Sequence, residues 1–333
     1  MPSAVAVPLS ILDLAIVGRG RSVGDALEGT VVLARRAEER GYRRVWYAEH
    51  HNMRSIASSA TSVLIAHVAA HTRSIRVGAG GVMLPNHAPL TIAEQFGTLE
   101  TLHPGRIDLG VGRAPGTDPT TLRALRRDPT AADTFPQDVL ELQGYLSGDS
   151  RIPGVEAVPG AGTNVPLYIL GSSLFGASLA AALGLPYAFA SHFAPDALQQ
   201  AVALYRQEFK PSAQLDAPHV IAGVSVIAAD HEAEAHEQLE YVRRARAARF
   251  LGRGRHYSDD ELDALLRSPQ GRYVDRMMTY TAVGDPAQVG EYLAGFTEHA
   301  GADELIVVLA APTIETRLRS LDLVADVAGL AEA

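Results

Sequence analysis

The chain has 333 residues, of which 47 % are hydrophobic, and a formal net charge of −9 at pH 7. This length suits a single α/β barrel, and the acidic balance argues against nucleic acid or an anionic membrane as the main partner. The absence of cysteine excludes disulfides, zinc–cysteine sites and thiol catalysis, and it fits a reducing cytoplasm. No stretch reaches transmembrane length. Because the charge disfavours nucleic acid and anionic membranes, we expect a small-molecule ligand.

The first third of the chain alternates apolar runs with helical patterns. The N-terminal run has no basic segment and is interrupted by Asp13, which predicts a first strand rather than a signal peptide. Ser22 and Asp25 predict a capping box for the first helix, which Gly41 closes, and Ser58 or Ser59 would cap the second. The predicted strands are 9–17, 45–48, a run from 76 that ends in the glycine cluster 78–81, and 107–110.

The same alternation continues after a long excursion at 114–165, which contains one predicted helix near 133–146. Further strands are predicted at 166–171, 187–190, 220–228 and 304–309, with a second, charged and mostly helical excursion at 230–282. Strands buried on both faces give near-continuous apolar runs of this kind. Eight of them alternating with helices predict a single-domain (β/α)8 TIM barrel over 1–333, with insertions after strands four and seven.

In such a barrel the active site lies at the C-terminal ends of the strands. Residue types that folding does not require stand at five of these ends. They are Glu49, His50 and His51 after strand two, Gly80 and Gly81 after strand three, Arg113 after strand four, Gly171, Ser172 and Ser173 after strand five, and Ser191, His192 and Phe193 after strand six.

The stretch from Gly171 to Ser173 lies between a strand and the start of a helix. Free backbone N–H groups, hydroxyls and the helix dipole at this position suit an anion such as a phosphate. Arg113 would add a charge-assisted contact to the same phosphate. The alternative is that the two serines only cap the helix and that Arg113 is a solvated loop residue.

The Glu49-His50-His51 run allows two chemical interpretations. Glu49 and His51 share one face of the strand end, so a metal site would need a further ligand from His87 or His192. We favour a site without a metal, in which one histidine faces the pocket as a hydrogen-bond donor or proton shuttle and the other packs behind it. A third interpretation is that both histidines only brace the strand end.

Three stretches together carry a family resemblance. WYAEHHN at 46–52, the run 76–113 and the run 166–193 resemble the bacterial luciferase-like flavin monooxygenases. The similarity spans nearly the whole chain, and the presence of all three motifs in order is more specific than any one of them.

The resemblance implies a (β/α)8 barrel, usually dimeric, that binds FMN. Reduced flavin would react with O2 to form a flavin C4a-hydroperoxide, which oxidises a small organic substrate. A bulge at Gly80 and Gly81, which can contain a non-proline cis peptide, would lie against the isoalloxazine ring. His50 would be the catalytic histidine, and the flavin phosphate would be held by Arg113, Ser172 and Ser173, with Gly171 and His192 also in the cofactor site.

One position departs from the family pattern, because Gly112 stands where true luciferases carry a reactive cysteine. This departure puts light emission in doubt but not flavin binding. Nothing resembles a nicotinamide site, so a separate reductase would supply the reduced flavin. The alternatives are an F420-dependent dehydrogenase on the same barrel and a non-catalytic flavin-binding protein.

Two further hypotheses concern surfaces outside the strand ends. A homodimer is predicted through the helices after strands two and three, whose apolar residues include Ala60, Val63, Ala66, Phe96 and Leu99. The segment 243–272, with Gly252 and Gly254 as hinges, is a candidate lid that would exclude water from the site. The alternative for this segment is a solvated helical insertion.

Overall fold

The computed structural model describes residues 5–114, 118–252, 255 and 257–331. Nine strands are present in this part of the chain: β1 Leu9–Asp13, β2 Arg44–Tyr47, β3 Arg76–Met83, β4 Ile107–Gly112, β5 Leu167–Gly171, β6 Tyr187–Phe189, β7 Val220–Ala228, β8 Thr281–Gly284 and β9 Glu304–Leu309.

Twelve α-helices accompany these strands in the described residues: α1 Val23–Glu39, α2 Thr61–His71, α3 Pro89–Leu102, α4 Pro119–Ala124, α5 Phe135–Ser147, α6 Leu174–Leu183, α7 Leu198–Glu208, α8 Glu232–Phe250, α9 Asp259–Arg267, α10 Gly271–Met277, α11 Pro286–Ala300 and α12 Ile314–Ala328. Two 3-10 helices lie at Leu84–Asn86 and Pro129–Thr134. None of the helices described combines the length and the apolar character needed to cross a membrane.

Eight parallel strands form a closed barrel. β1 to β6 pair in order, β6 pairs with β7, and β9 lies between β7 and β1. These are the eight predicted strands, and the insertions follow β4 and β7, so the predicted (β/α)8 TIM barrel is confirmed.

β8 is an additional strand that the sequence did not predict. It pairs with the C-terminal part of β7, Ser225 to Ala228, whereas β6 pairs with the N-terminal part of that strand. The predicted excursion 230–282 is therefore helical only as far as Met277 and ends in a strand. A strand of four residues is too short to give an apolar run that can be recognised from the sequence.

The glycine cluster in β3 corrects the predicted end of that strand. β3 does not end at the glycines but continues through them to Met83, with a register shift against β4 between Gly80 and Val82. The peptide bond between Gly80 and Gly81 is cis. A Cβ on Gly78 would lie 2.5 Å from the backbone oxygen of Asp108, so this strand needs glycine in order to approach β4 closely.

Helix ends follow the predicted cap of the first helix and differ from that of the second. Ser22 and Asp25 form the capping box of α1 as predicted, and Asp285 caps α11 with Pro286 in its first turn. The predicted cap of α2 is wrong, because this helix begins after Ala60. Ser58 is instead buried, and its hydroxyl donates to the backbone oxygen of Ala48 at 2.5 Å.

The predicted dimer surface is only partly exposed. Phe96 and Leu99 on α3 are buried in the barrel core, so they cannot contribute to a contact surface as predicted. On α2 the residues that face the barrel include Leu64 and Val68, and Val63 on the opposite face is 69 % exposed.

A network of buried charges fills the N-terminal end of the barrel. Arg44 on β2 is 1 % exposed and lies 2.8 Å from Asp108 and 2.9 Å from Glu304. Arg76 also contacts Asp108, and Ser10 donates to Glu304 at 2.5 Å. Because each carboxylate has a guanidinium partner, this end of the barrel is closed by paired charges rather than by an apolar plug.

Candidate active site

A cavity of about 1000 Å³ opens at the C-terminal ends of the strands. The upper end of the usual range for ligand pockets is about 1,000 Å³, so the space suits a large cofactor together with a small second molecule. All eight residues predicted for the site line this one cavity: His50, Gly80, Gly81, Arg113, Gly171, Ser172, Ser173 and His192.

One wall of the cavity is made of glycines on β3 and β4. A Cβ on Gly81 would lie 2.8 Å from the backbone oxygen of Gly110 and 3.3 Å from a side-chain carbon of Leu170. At Gly112, the position where the resemblance implies a cysteine in true luciferases, the nearest atom would be 3.6 Å away. The two positions therefore differ in how much side chain they can accept.

We expect Gly81→Ala to lower the free energy of unfolding by about 1–3 kcal/mol, because overpacking against backbone forces neighbouring atoms to move. Gly112→Ala is the matched control and should not lower stability, since its Cβ has room. Urea unfolding of both variants checks this, and equal stability of the two would contradict it.

Arg113 and the two serines lie at the β4 and β5 side of the cavity. The Arg113 guanidinium stacks over the Phe175 ring at 4.1 Å, and no carboxylate in the described part of the chain pairs with it. Ser173 occupies the N-cap position of α6, but its hydroxyl makes no capping hydrogen bond. This end of the cavity therefore offers an unpaired positive charge and hydroxyls beside a helix N-terminus.

The hydrogen bonds of Glu49 go to residues other than His50. Its buried carboxylate accepts from His51 Nε2 at 2.7 Å, His87 Nε2 at 2.9 Å and the Met83 backbone N–H at 3.0 Å. Burial raises the pKa of Glu49, but the hydrogen bonds from His87 and His51 outweigh it and hold this pKa below its ordinary value. Glu49, His51 and His87 thus brace the wall behind the cavity.

His50 and His192 face the cavity as neutral groups. Burial lowers the pKa of His50 to about 4, and the charge of Arg249 adds to this effect. Burial likewise lowers the pKa of His192 to about 3, with a contribution from Arg246. Within the residues described, Nδ1 of neither histidine has a hydrogen-bond partner. One histidine in the pocket and His51 packed behind it is the arrangement that we favoured from the sequence.

The structure brings no metal site together in the residues it describes. No group of three or more histidine, aspartate or glutamate side chains there could hold a metal ion. Although Glu49, His51 and His87 converge, both rings direct Nε2 at the carboxylate as a hydrogen-bond partner.

The insertion after β7 forms part of the cavity wall. Ala247, Leu262, Leu266 and Val274 form a small apolar core within it. Arg246 and Arg249 on α8 line the cavity, and neither was among the site residues predicted from the sequence. The i, i+3 spacing of these two arginines was a signal for a shared helix face. Gly254, predicted as a hinge, lies outside the described residues, and the lid role of 243–272 stays a prediction.

Comparison with known proteins identifies similar chains. A family model described as luciferase-like monooxygenase matches residues 8–304. A luciferase-like monooxygenase of Escherichia coli strain K12 is 47 % identical over 329 residues, covering 96 % of this chain and 97 % of the relative. An N-acetyl-S-alkylcysteine monooxygenase of Bacillus subtilis is 37 % identical over 237 residues, covering 69 % and 71 %.

Solved structures show the same fold. Apo-MsnO8 has a TM-score of 0.88 at 34 % identity, covering 98 % of this chain and all of the other. The oxygenating constituent of 3,6-diketocamphane monooxygenase of Pseudomonas putida, in complex with FMN, has a TM-score of 0.71 at 17 % identity, covering 96 % and 97 %. An F420-dependent secondary alcohol dehydrogenase has a TM-score of 0.70 at 16 % identity, covering 97 % and 99 %. At these lower identities the likeness concerns the fold alone.

Proposed function

This chain belongs to the luciferase-like monooxygenase family, and from this membership we propose that it uses reduced FMN and O2 to oxidise a small organic substrate. The observation that carries the proposal is the convergence of all eight predicted site residues on one cavity. Bound reduced FMN would supply the electrons that activate O2, so that one oxygen atom enters the substrate.

The residues present fit FMN at both ends of the molecule. Arg113, Ser172 and Ser173 would hold the phosphate, because an unpaired guanidinium and hydroxyls at a helix N-terminus suit an anion. The close approach of the backbone at Gly80 and Gly81 leaves a wall without side chains, against which a flat ring can lie.

The remaining residues would exclude water and manage a proton. Apolar side chains from the barrel interior, among them Leu12, Trp46 and Ile306, line the cavity. Walls of this kind exclude water and so prevent side reactions that would compete with oxidation of the substrate. His50, neutral near pH 7, would donate or accept a hydrogen bond at the reacting oxygen.

We expect Arg113→Ala to weaken FMN binding by about 1–3 kcal/mol, the usual scale of a hydrogen bond to a charged group, which is about 5- to 150-fold in the dissociation constant. Flavin fluorescence titration measures it. Arg123→Ala is the matched control, because this exposed arginine lies in the same insertion and, among the described residues, its guanidinium donates only to the Thr120 hydroxyl. If Arg113→Ala bound FMN as tightly as Arg123→Ala, the phosphate assignment would be contradicted.

The oxygenase reaction has its own experiment. The Bacillus subtilis relative is, by its name, an N-acetyl-S-alkylcysteine monooxygenase, so S-alkyl thioethers are the first substrates to test. Protein supplied with chemically reduced FMN and ¹⁸O2 should give a product that contains one ¹⁸O atom. Chemical reduction also bypasses the separate flavin reductase that we propose as the natural electron source. If ¹⁸O appeared only in hydrogen peroxide and water with every thioether tested, this result would count against these compounds as substrates.

We also propose a homodimer in which α2 forms the contact, since Val63 exposes an apolar side chain on its outer face. Sedimentation velocity at micromolar concentration should show a dimer, and Val63→Glu should shift it toward the monomer. Val32→Glu is the control, because Val32 is also exposed but lies on α1. A monomeric wild type would contradict the proposal.

A further inference from the structure

We propose that the substrate is a mainly apolar small molecule with one carboxylate, and that Arg246 and Arg249 hold this carboxylate. That the bound anion is the substrate rests on the proposed function, whereas the anion site itself rests on the contacts of α8. Four arginines lie close together on this helix, and their partners divide them into two pairs.

The first pair has acidic partners. Arg243 lies 3.0 Å from Asp275, and Arg244 makes a bidentate contact with Asp263 at 2.7 and 2.8 Å. These carboxylates come from α10 and α9, so the charges of Arg243 and Arg244 are compensated within the insertion itself.

The second pair has only neutral partners. Arg246 donates to the Ser225 hydroxyl at 3.0 Å and to the Met277 backbone oxygen at 3.2 Å, and Arg249 donates to the Ser55 hydroxyl at 3.0 Å. No carboxylate in the part of the chain that the structure describes pairs with either guanidinium. Burial lowers the pKa of Arg246 to about 10 and also lowers the pKa of Arg249, as expected for charges without a counterion.

The position of this pair separates it from the proposed phosphate site. Ser225 lies on β7 and Ser55 in the loop after β2, and in the closed barrel the strands between them are β9 and β1. Arg113 and Ser172 follow β4 and β5, on the opposite side of the ring. A flavin whose phosphate lies at β4 and β5 therefore leaves Arg246 and Arg249 for a second anion.

The surroundings of the pair define the rest of that ligand. The cavity is otherwise lined largely by apolar side chains, including Ile306, Val308 and Phe189. Guanidinium groups match the planar, bidentate geometry of a carboxylate. The two arginines would therefore fix one charged end of the substrate and leave its apolar part against the barrel interior.

The test compares carboxylates with their neutral amides. Hexanoate, benzoate and N-acetyl-S-benzylcysteine, each with its carboxamide, are titrated calorimetrically into wild type, R246Q and R249Q, in the apo form and with saturating FMN. R243Q is the matched control, because this arginine on the same helix has acidic partners. R246K and R249K keep the charge without the planar guanidinium, and thermal melts verify that each variant is folded.

For wild type with FMN we expect at least one carboxylate to bind about tenfold or more tightly than its amide, by the usual scale of a charge-assisted contact. R246Q and R249Q should lose this preference, the lysine variants should keep part of it, and R243Q should keep it fully. FMN affinity should be the same in all of them.

Two results would overturn the proposal. One is that no carboxylate binds better than its amide, and the other is that R246Q or R249Q weakens FMN binding instead, which would assign the arginines to the cofactor. A carboxylate preference that depends on both arginines, in a protein that binds no FMN, would support the anion site and would count against the proposed monooxygenase function.

Discussion

Replacing His50 by alanine is expected to lower kcat by about 10²–10⁴-fold, the usual contribution of a positioned acid–base group, while the FMN affinity stays nearly unchanged. His50 lines the cavity, and its Nδ1 has no partner among the described residues, so the ring is available to a ligand. Because the proposed phosphate contacts at Arg113, Ser172 and Ser173 lie elsewhere in the cavity, binding and turnover should separate.

His231→Ala is the matched control, since this histidine is exposed just before α8, makes no capping hydrogen bond and does not line the cavity. Stopped-flow and steady-state assays with reduced FMN measure both quantities. If His50→Ala kept the kcat of His231→Ala, the ring would have no part in the reaction. A loss of FMN affinity equal to the loss of kcat would assign His50 to cofactor binding instead.

The pH dependence follows from the lowered pKa of His50. With a pKa of about 4, the ring is neutral throughout pH 6–8 and gains a proton only as the pH approaches 4. The kcat of the wild type should therefore show no decline near pH 6.5, where an unperturbed histidine would titrate. If kcat declined near pH 6.5 and the decline disappeared in His50→Gln, burial would not lower the pKa of this ring.

Arg44→Met is expected to lower the free energy of unfolding by about 3–5 kcal/mol, the cost of breaking a buried ion pair from one side. The variant would leave Asp108 and Glu304 buried at the N-terminal end of the barrel without their shared guanidinium. Arg76 would still contact Asp108, whereas the fully buried Glu304 would keep Ser10, the ring of His219 and the partly exposed Arg43, whose guanidinium lies 3.6 Å away.

Urea unfolding of Arg44→Met against Arg276→Met measures this effect. Arg276 pairs with Asp196, and both side chains are more than half exposed, so its loss should cost no more than about 1 kcal/mol. Equal destabilisation by the two variants would mean that the buried network contributes no more than a surface pair.

The barrel could be predicted from the sequence because its strands are buried on both faces. Val220–Ala228 and Glu304–Leu309 are apolar except for Ser225 and Glu304, and such near-continuous runs leave little freedom in where a strand lies. β3 was cut short because glycine usually interrupts a strand, whereas here close approach to β4 requires it. β8 forms because the C-terminal part of β7 extends beyond β6 and can pair with another strand, and no local sequence pattern predicts this pairing.

The positions of the site residues were predictable, but their partners were not. Parallel topology brings His50, Arg113 and His192 to one end of the barrel, whatever the side chains do. Whether Glu49 reaches His50 or His51 depends on the path of the loop after β2, which has no regular period. The inward direction of Arg246 likewise depends on how α8 packs on the barrel mouth.

The most direct test of FMN as the cofactor is an anaerobic equilibrium titration of the purified protein with FMN, reduced FMN and F420, with Arg113→Ala alongside. We predict that reduced FMN binds most tightly, that F420 binds at least about tenfold more weakly, and that Arg113→Ala weakens FMN binding by the range given above. Tighter binding of F420 would make the chain a deazaflavin-dependent dehydrogenase, and no binding of either flavin would contradict a flavin site at these strand ends.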